Sequence, residues 1–212
     1  MHIKEIEQNN MKQINFIVCE MTFVRYFTPL VIEGNKRGMK SIFFIGRTGK
    51  YNSPHRHQKS LNDLSKKYNF ELRDISSLED NGWPFFLIEG VQSSLLSGFK
   101  SKKYSLTYMT DFTMDYKKYI DNVDHVIFPS RFFAESHGFT NEKNLYLGSP
   151  KYDTPYDTKE IHKKYNIGVD KKKAFVALPR LRDSSKVDFK KLYESLRSLD
   201  FEIITKTRGK DP

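Results

Sequence analysis

Apolar residues along the chain fall into short continuous runs separated by polar stretches of helical period, a rhythm that predicts strands alternating with helices. Ile14 to Cys19 (INFIVC) is an apolar run of strand length, of the kind found where a strand is buried on both faces. Phe27, Leu30 and Val31 follow at near-helical spacing and predict a helix over Phe27 to Arg37, with Thr28-Pro29 as its start and Gly38 as its stop. Ser41 to Ile45 (SIFFI) is the second strand. Strand, helix and strand in that order form a βαβ unit and favour a parallel sheet over a sandwich or a bundle. Pro54 opens the next helix, with Leu61, Leu64 and Tyr68 as its apolar stripe. Short strands follow at Glu71 to Ile75, within Gly82 to Val91 (opened by Trp83-Pro84, closed by Glu89-Gly90) and at Tyr104 to Met109. Asp115 to Asn122 reads as a helix with Tyr116, Tyr119 and Ile120 on one face.

Val123 to Asp153 organises the rest. Val123 to Phe128 is a strand, Pro129-Ser130 breaks it, and Ser130 is placed to cap a helix that starts at Arg131 and stops at Gly138. Asn144 to Leu147 is another short strand, and Gly148 and Pro150 then turn the backbone sharply before Asp153. Such a turn marks an exit from one domain. Thr154 to Asp157 reads as a linker and Thr158 to Tyr165 as a basic helix. Ala174 to Leu178 (AFVAL) and Phe201 to Thr205 (FEIIT) are strands of a second sheet, covered by a helix over Phe189 to Leu199. The fold class is α/β, a Rossmann-like parallel sheet with flanking helices over residues 1–153 and the start of a second such unit over 154–212. Two strands and one helix in the second part hardly bury a core, so a truncated chain or fragment is expected.

The totals narrow the partners. Hydrophobic residues are 38% and aromatics 14%, so Phe and Tyr build the core alongside Leu. A formal charge of +10 favours anionic partners: phosphorylated substrates, nucleotides, nucleic acid or an acidic membrane surface. Cys19, the one cysteine, lies in an apolar run and excludes both a disulfide framework and a thiolate metal site. MHIKEIEQNN lacks a signal peptide's apolar core, and no run approaches the roughly 18 apolar residues of a membrane span. A cytoplasmic location is expected, with peripheral contact at an anionic membrane allowed by the charge.

Two local patterns invite a site and fail on spacing. Gly46-Arg-Thr-Gly49-Lys50-Tyr51 has Phe44 where a Walker loop needs its first glycine and Tyr51 in place of the hydroxyl, so its amides are not set to wrap phosphates. His55 and His57, two residues apart, diverge on a helix and have no ligand at partner spacing. His125 reads as a packed strand residue and His137 as a helix C-terminal cation.

Strand, Pro-Ser, helix, strand and then Gly148-x-Pro150-x-x-Asp153 resemble the end of the N-terminal domain in GT-B transferases, above all the CDP-glycerol glycerophosphotransferase family. Ala177 to Asp183 (ALPRLRD) is similar to that family's PTxRD turn, with Pro179, Arg182 and Asp183 in register, and IITKTRGKDP resembles its strand ending in a basic or His-Pro element. The similarity covers residues 104 to 212. It implies a nucleotide-linked donor (CDP-glycerol or a UDP-sugar), a polyol-phosphate or glycan acceptor of the cell envelope, no metal and no organic cofactor. Tyr108-Met109-Thr110-Asp111 aligns with the family's WHGT-type motif. Met109 therefore stands at the histidine position, and Asp111 is the substitute for the base on the acceptor hydroxyl. By the same resemblance Arg180, Arg182, Lys206 and Arg208 contact the donor phosphates, and Arg47 and Lys50 face the acceptor. Asp111 as a simple cap and Arg182 as a local pair with Asp183 remain alternatives. So do two other functions: a UDP-sugar epimerase of the same fold, and a non-catalytic basic module, although no specific nucleic-acid signature is present.

Overall fold

The computed structural model describes residues 12–46, 53–108, 121–153, 157–168, 170, 172–177 and 188–206, with the backbone alone for Tyr152 and Lys206. The chain separates into two compact units, Met1–Thr154 and Pro155–Pro212.

In the first unit seven strands form one sheet: β1 (Gln13–Val18), β2 (Lys40–Ile45), β3 (Glu71–Asp74), β4 (Phe85–Ile88), β5 (Lys103–Leu106), β6 (His125–Phe128) and β7 (Asn144–Tyr146). Their spatial order is β3-β2-β1-β4-β5-β6-β7, and every neighbouring pair is parallel. This is the doubly wound Rossmann-like arrangement, in which the direction of winding reverses between β1 and β4. The helices are α1 (Met21–Lys36), α2 (Gln58–Tyr68) and α3 (Arg131–Ser136), with single 3-10 turns at Pro54–His57 and Pro150–Tyr152 among others. Ser130 Oγ accepts from the Phe133 N–H at 3.1 Å, the cap its position predicts, and Gly138 follows the helix in a left-handed conformation.

One helix departs from the sequence expectation. α1 begins at Met21, seven residues before Thr28, and Pro29 sits inside it. The ring removes the N–H that would have reached the Arg25 carbonyl, a cost a helix interior normally avoids. Burial outweighs it here: Phe23, Val24, Tyr26, Phe27 and Val31 lie on one face against the sheet, and Thr28 Oγ1 donates to the Val24 carbonyl at 2.8 Å. The predicted helix over Asp115 to Asn122 falls largely outside the described residues.

The core is aromatic. The Phe16 ring, fully buried in β1, packs against Phe27 at 4.8 Å, Phe43 at 5.0 Å and Phe86 at 5.7 Å between centroids, and Phe43 stacks on Phe70 at 4.1 Å. A second row crosses the sheet as Phe86, Tyr104 and His125, stacked at 5.1 and 5.3 Å. At the amino edge, Asp80 holds the approaches to β4 and β5 together. Its carboxylate accepts from the Lys100 and Gly82 N–H groups and from the Ser101 hydroxyl and N–H.

The second unit contains α4 (Thr158–Tyr165), β8 (Lys172–Ala177), α5 (Phe189–Ser198) and β9 (Phe201–Lys206). β8 and β9 pair in parallel, and α5 lies on one face of the pair, its Tyr193 hydroxyl 2.9 Å from Thr205 Oγ1. Asp157 and Asp188 cap the two helices through the N–H groups of Lys159, Glu160 and Lys191. Phe175 on β8 remains 64% exposed. Among the described residues no helix is long and apolar enough to cross a membrane.

Two outcomes follow. Phe16→Ala removes the ring on which three others pack and should lower unfolding stability by about 3–5 kcal/mol in denaturant titration. For Asp80, the Ser101 hydroxyl first and the Lys100 N–H second hold the carboxyl below its ordinary value of 3.8. A depressed folded-state pKa contributes stability that is complete above the ordinary value and disappears as pH falls through the depressed one. Asp80→Asn should therefore melt earlier than the parent at neutral pH, and the two melting curves should converge on acidification below pH 3.8.

Candidate functional site

Parallel strands all end on the same edge, and in a doubly wound sheet the loops diverge where the winding reverses, which leaves a crevice outside the carboxyl ends of β1 and β4. Four chain segments meet there. From β1, Cys19 and Glu20 lead into α1, whose first turn carries no acidic side chain and whose Glu20 N-cap makes no side-chain cap bond. From β2 comes Gly46, its N–H bonded to the Val18 carbonyl at 2.9 Å. β4 runs into Glu89-Gly90-Val91-Gln92, and β5 into Thr107-Tyr108.

The turn after β4 is the strained element. Glu89, Gly90 and Gln92 all have left-handed backbone, at φ +52°, +61° and +64°. For the two non-glycine residues this conformation costs about 1–2 kcal/mol each. Tertiary bonds hold it: the Glu89 N–H donates to the Leu106 carbonyl at 2.9 Å, and the Gly90 N–H donates to the buried Ser105 hydroxyl at 2.8 Å. The Glu89 side chain is 3% exposed, and its Oε1 accepts from the Tyr108 N–H. A buried carboxylate thus fixes where the chain goes as it leaves β5.

Gln92 turns back toward β1, where its Oε1 accepts from the Cys19 thiol at 2.9 Å. Gly46 closes over this pair. A Cβ at Gly46 would stand 2.7 Å from Gln92 Oε1, 3.2 Å from Gln92 Nε2 and 3.3 Å from Cys19 Sγ, so a larger residue there requires the Gln92 amide to shift from Cys19. The cysteine is buried as the sequence implies, and it also orients the Gln92 amide.

Beside the crevice, Tyr108 packs on Tyr26 at 5.1 Å and on Phe23 at 5.9 Å. The Tyr26 hydroxyl donates to the Tyr108 carbonyl at 3.2 Å and accepts from Lys151 Nζ at 2.9 Å, which ties the turn that leaves the first unit to α1. Arg25 Nη2 donates to the Tyr108 hydroxyl at 3.2 Å.

Of the residues assigned roles from the sequence, Asp111, Arg47, Lys50, Arg180, Arg182 and Arg208 lie outside the described residues, and Lys206 closes β9 with its side chain outside them. Sequence reasoning missed Glu89, Gln92 and the Tyr26–Tyr108 pair as site-forming groups. Glu89-Gly90 was legible as a strand end; that its carboxylate is buried under β5 was not. A cavity of about 390 Å³ lies at the opposite, amino edge, lined by Asn35, Lys40, Ser41, Phe70 and Glu71 among others. Its Lys40–Glu71 ion pair, at 2.6 Å, fills part of its polar capacity, and it is remote in the sheet from the carboxyl-end turns.

No family model and no curated protein matches the chain. Solved structures do. A Listeria monocytogenes protein assigned as a UDP-N-acetylglucosamine 2-epimerase superposes with a TM-score of 0.62 at 12% identity, over 93% of this chain and 63% of that one. The S. aureus protein MnaA, solved with UDP, gives 0.58 at 13% identity, over 94% and 62%. At this identity the likeness is one of fold: a Rossmann-like α/β protein of the GT-B type. The chain spans less than two thirds of the length of these neighbours.

Substituting Gly46 tests the crevice. Gly46→Ala should displace the Gln92 amide and lower stability by about 1 kcal/mol, one net hydrogen bond, in denaturant titration. In a Gln92→Ala background the same substitution should cost markedly less, a coupling readable from the double-mutant cycle.

Proposed function

We propose that this chain is the acceptor lobe, residues 1–153, and the beginning of the donor lobe, residues 154–212, of a GT-B-type protein. Its ligand is a nucleotide-activated sugar or glycerol phosphate, and its reaction is transfer to a glycan or polyol-phosphate acceptor. The observation that carries the reading is the reversal of winding between β1 and β4, with the Glu89–Gln92 turn at its carboxyl edge, on a fold shared with a protein solved with UDP.

The assigned residues have a common position in the chain: each stands at or just beyond a parallel strand's carboxyl end. Arg47 and Lys50 follow β2, Asp111 follows β5, Arg180 and Arg182 follow β8, and Lys206 and Arg208 end or follow β9. Asp111 comes three residues after Tyr108, whose backbone Glu89 and Tyr26 both hold. In this reading Asp111 takes the proton of the acceptor hydroxyl as its oxygen attacks. With a UDP-sugar the attacked atom is the anomeric carbon and UDP departs; with CDP-glycerol it is the glycerol-bearing phosphorus and CMP departs. Arg180, Arg182, Lys206 and Arg208 stabilise the charge that develops on the leaving phosphate. The positive charge of the chain suits both substrates and allows peripheral contact with an anionic membrane.

Thermal-shift and calorimetric titration with UDP, UDP-sugars, CMP and CDP-glycerol, with an oligonucleotide as control, decides among the readings. A ligand that binds only the folded chain stabilises it by about 2.7 kcal/mol at a hundredfold excess over Kd. Selective stabilisation by one nucleotide is expected; salt-sensitive binding of the oligonucleotide alone would replace this reading with that of a basic module. In acceptor-dependent turnover, Asp111→Asn should lower the rate about 10²–10⁴-fold with nucleotide affinity unchanged. Conversion of a UDP-sugar without any acceptor would instead assign the fold's epimerase chemistry.

A further inference from the structure

The cations of α1 are not alike. At its far end Arg37 is matched by Glu33, at 2.9 Å, and in β3 Arg73 is matched by Glu71, at 2.6 Å. Arg25, in the second turn of α1, forms no such ion pair among the described residues, yet its side chain is held in place. Its guanidinium carbon lies 5.4 Å from the Tyr26 ring centre and 5.7 Å from that of Tyr108, and one N–H reaches the Tyr108 hydroxyl. Tyr26 is 1% exposed and cannot move aside. A second cation approaches the same ring: Lys151 Nζ stands 4.9 Å from the Tyr26 centroid while donating to its hydroxyl.

We propose that Arg25, seated on Tyr26 and Tyr108, is the recognition point for a phosphoryl group. Aromatic seating removes much of the rotamer freedom that an exposed arginine otherwise loses on binding, and a guanidinium that spends one N–H on a phenol keeps four for an anion. Planar, forked donation suits phosphate oxygens. The location is the carboxyl edge: Tyr108 follows β5, and its backbone is bonded to Glu89 and to Tyr26. The phosphoryl group has two possible carriers, the diphosphate of a nucleotide or the phosphate monoester of an acceptor. The proposal goes beyond the nucleotide reading, because the anion site stands whichever molecule carries the phosphate.

Calorimetric titration of the 212-residue chain with inorganic pyrophosphate at low ionic strength reads the site without any nucleoside. Arg25→Gln should weaken pyrophosphate about tenfold or more, the equivalent of one charge-assisted contact. Arg25→Lys, which keeps the charge and loses the fork, should fall between it and the parent. Arg37→Gln, at the other end of the helix, should bind as the parent does. Arg25 and Arg37 are both exposed, so all three variants should melt within about 1 °C of the parent. Equal pyrophosphate affinity in the parent and Arg25→Gln, or no binding by the parent, overturns the proposal. Parallel titrations with UDP and with glycerol 3-phosphate identify the carrier as the one whose affinity Arg25→Gln reduces. If UDP binds and Arg25→Gln leaves it and pyrophosphate untouched, the nucleotide reading survives and the anion site does not. If pyrophosphate binding depends on Arg25 while no nucleotide binds, the reverse holds.

Discussion

An all-parallel sheet cannot be built from hairpins, and that constraint shapes the first unit. Each strand must be followed by a crossover that returns along a face of the sheet, so both faces are covered and the inner strands are largely apolar. β1 lies between β2 and β4, and even its Asn15 is fully buried, bonded through Nδ2 to the Trp83 carbonyl at 3.3 Å. The interior is filled by rings stacked across strands rather than by aliphatic side chains alone, so Phe16, Phe27, Phe43, Phe70 and Phe86 form one packed group centred on β1 and β2.

The same constraint puts every strand's exit on one edge. Four segments that are far apart in sequence converge there, and they converge closely enough that backbone conformation is sacrificed. Two non-glycine residues, Glu89 and Gln92, sit in left-handed backbone, and a Cβ at Gly46 would force the Gln92 amide to shift. Strain held by tertiary bonds is characteristic of positions where side-chain placement matters more than local comfort. Here the placed groups are the Gln92 amide, oriented by Cys19, and the backbone of Tyr108, held on one side by Glu89 and on the other by Tyr26. Through Lys151 the Tyr26 hydroxyl also binds the turn that ends the first unit. One phenol therefore joins α1, the exit from β5 and the exit from the unit.

The second unit is a different physical object. Its two parallel strands carry one helix on one face, while Phe175, Tyr165 and Leu199 are each more than 60% exposed. A pair of parallel strands is far below the size at which such a sheet normally buries both faces. In the sequence, basic residues follow the carboxyl ends of β8 and β9.

Hydrophobic runs, Gly and Pro punctuation and one cap residue were enough to place nearly every strand, because a strand buried on both faces needs a short unbroken apolar run and little else can use one. Ser130 and Gly138 bounded α3 by local chemistry alone. The start of α1 was hidden, since a proline that looks like a helix opener was carried inside by the burial of Phe23, Val24 and Tyr26, an energy that exists only once the sheet is present. The site was hidden for the same reason. Cys19, Gly46, Glu89, Gln92 and Tyr108 follow four different strands, β1, β2, β4 and β5, and no spacing in the chain relates them. The amino-acid sequence determined which segments become strands and that they run parallel. Only the tertiary structure decided that β1 and β4 are neighbours, and with that which side chains face one another at their ends.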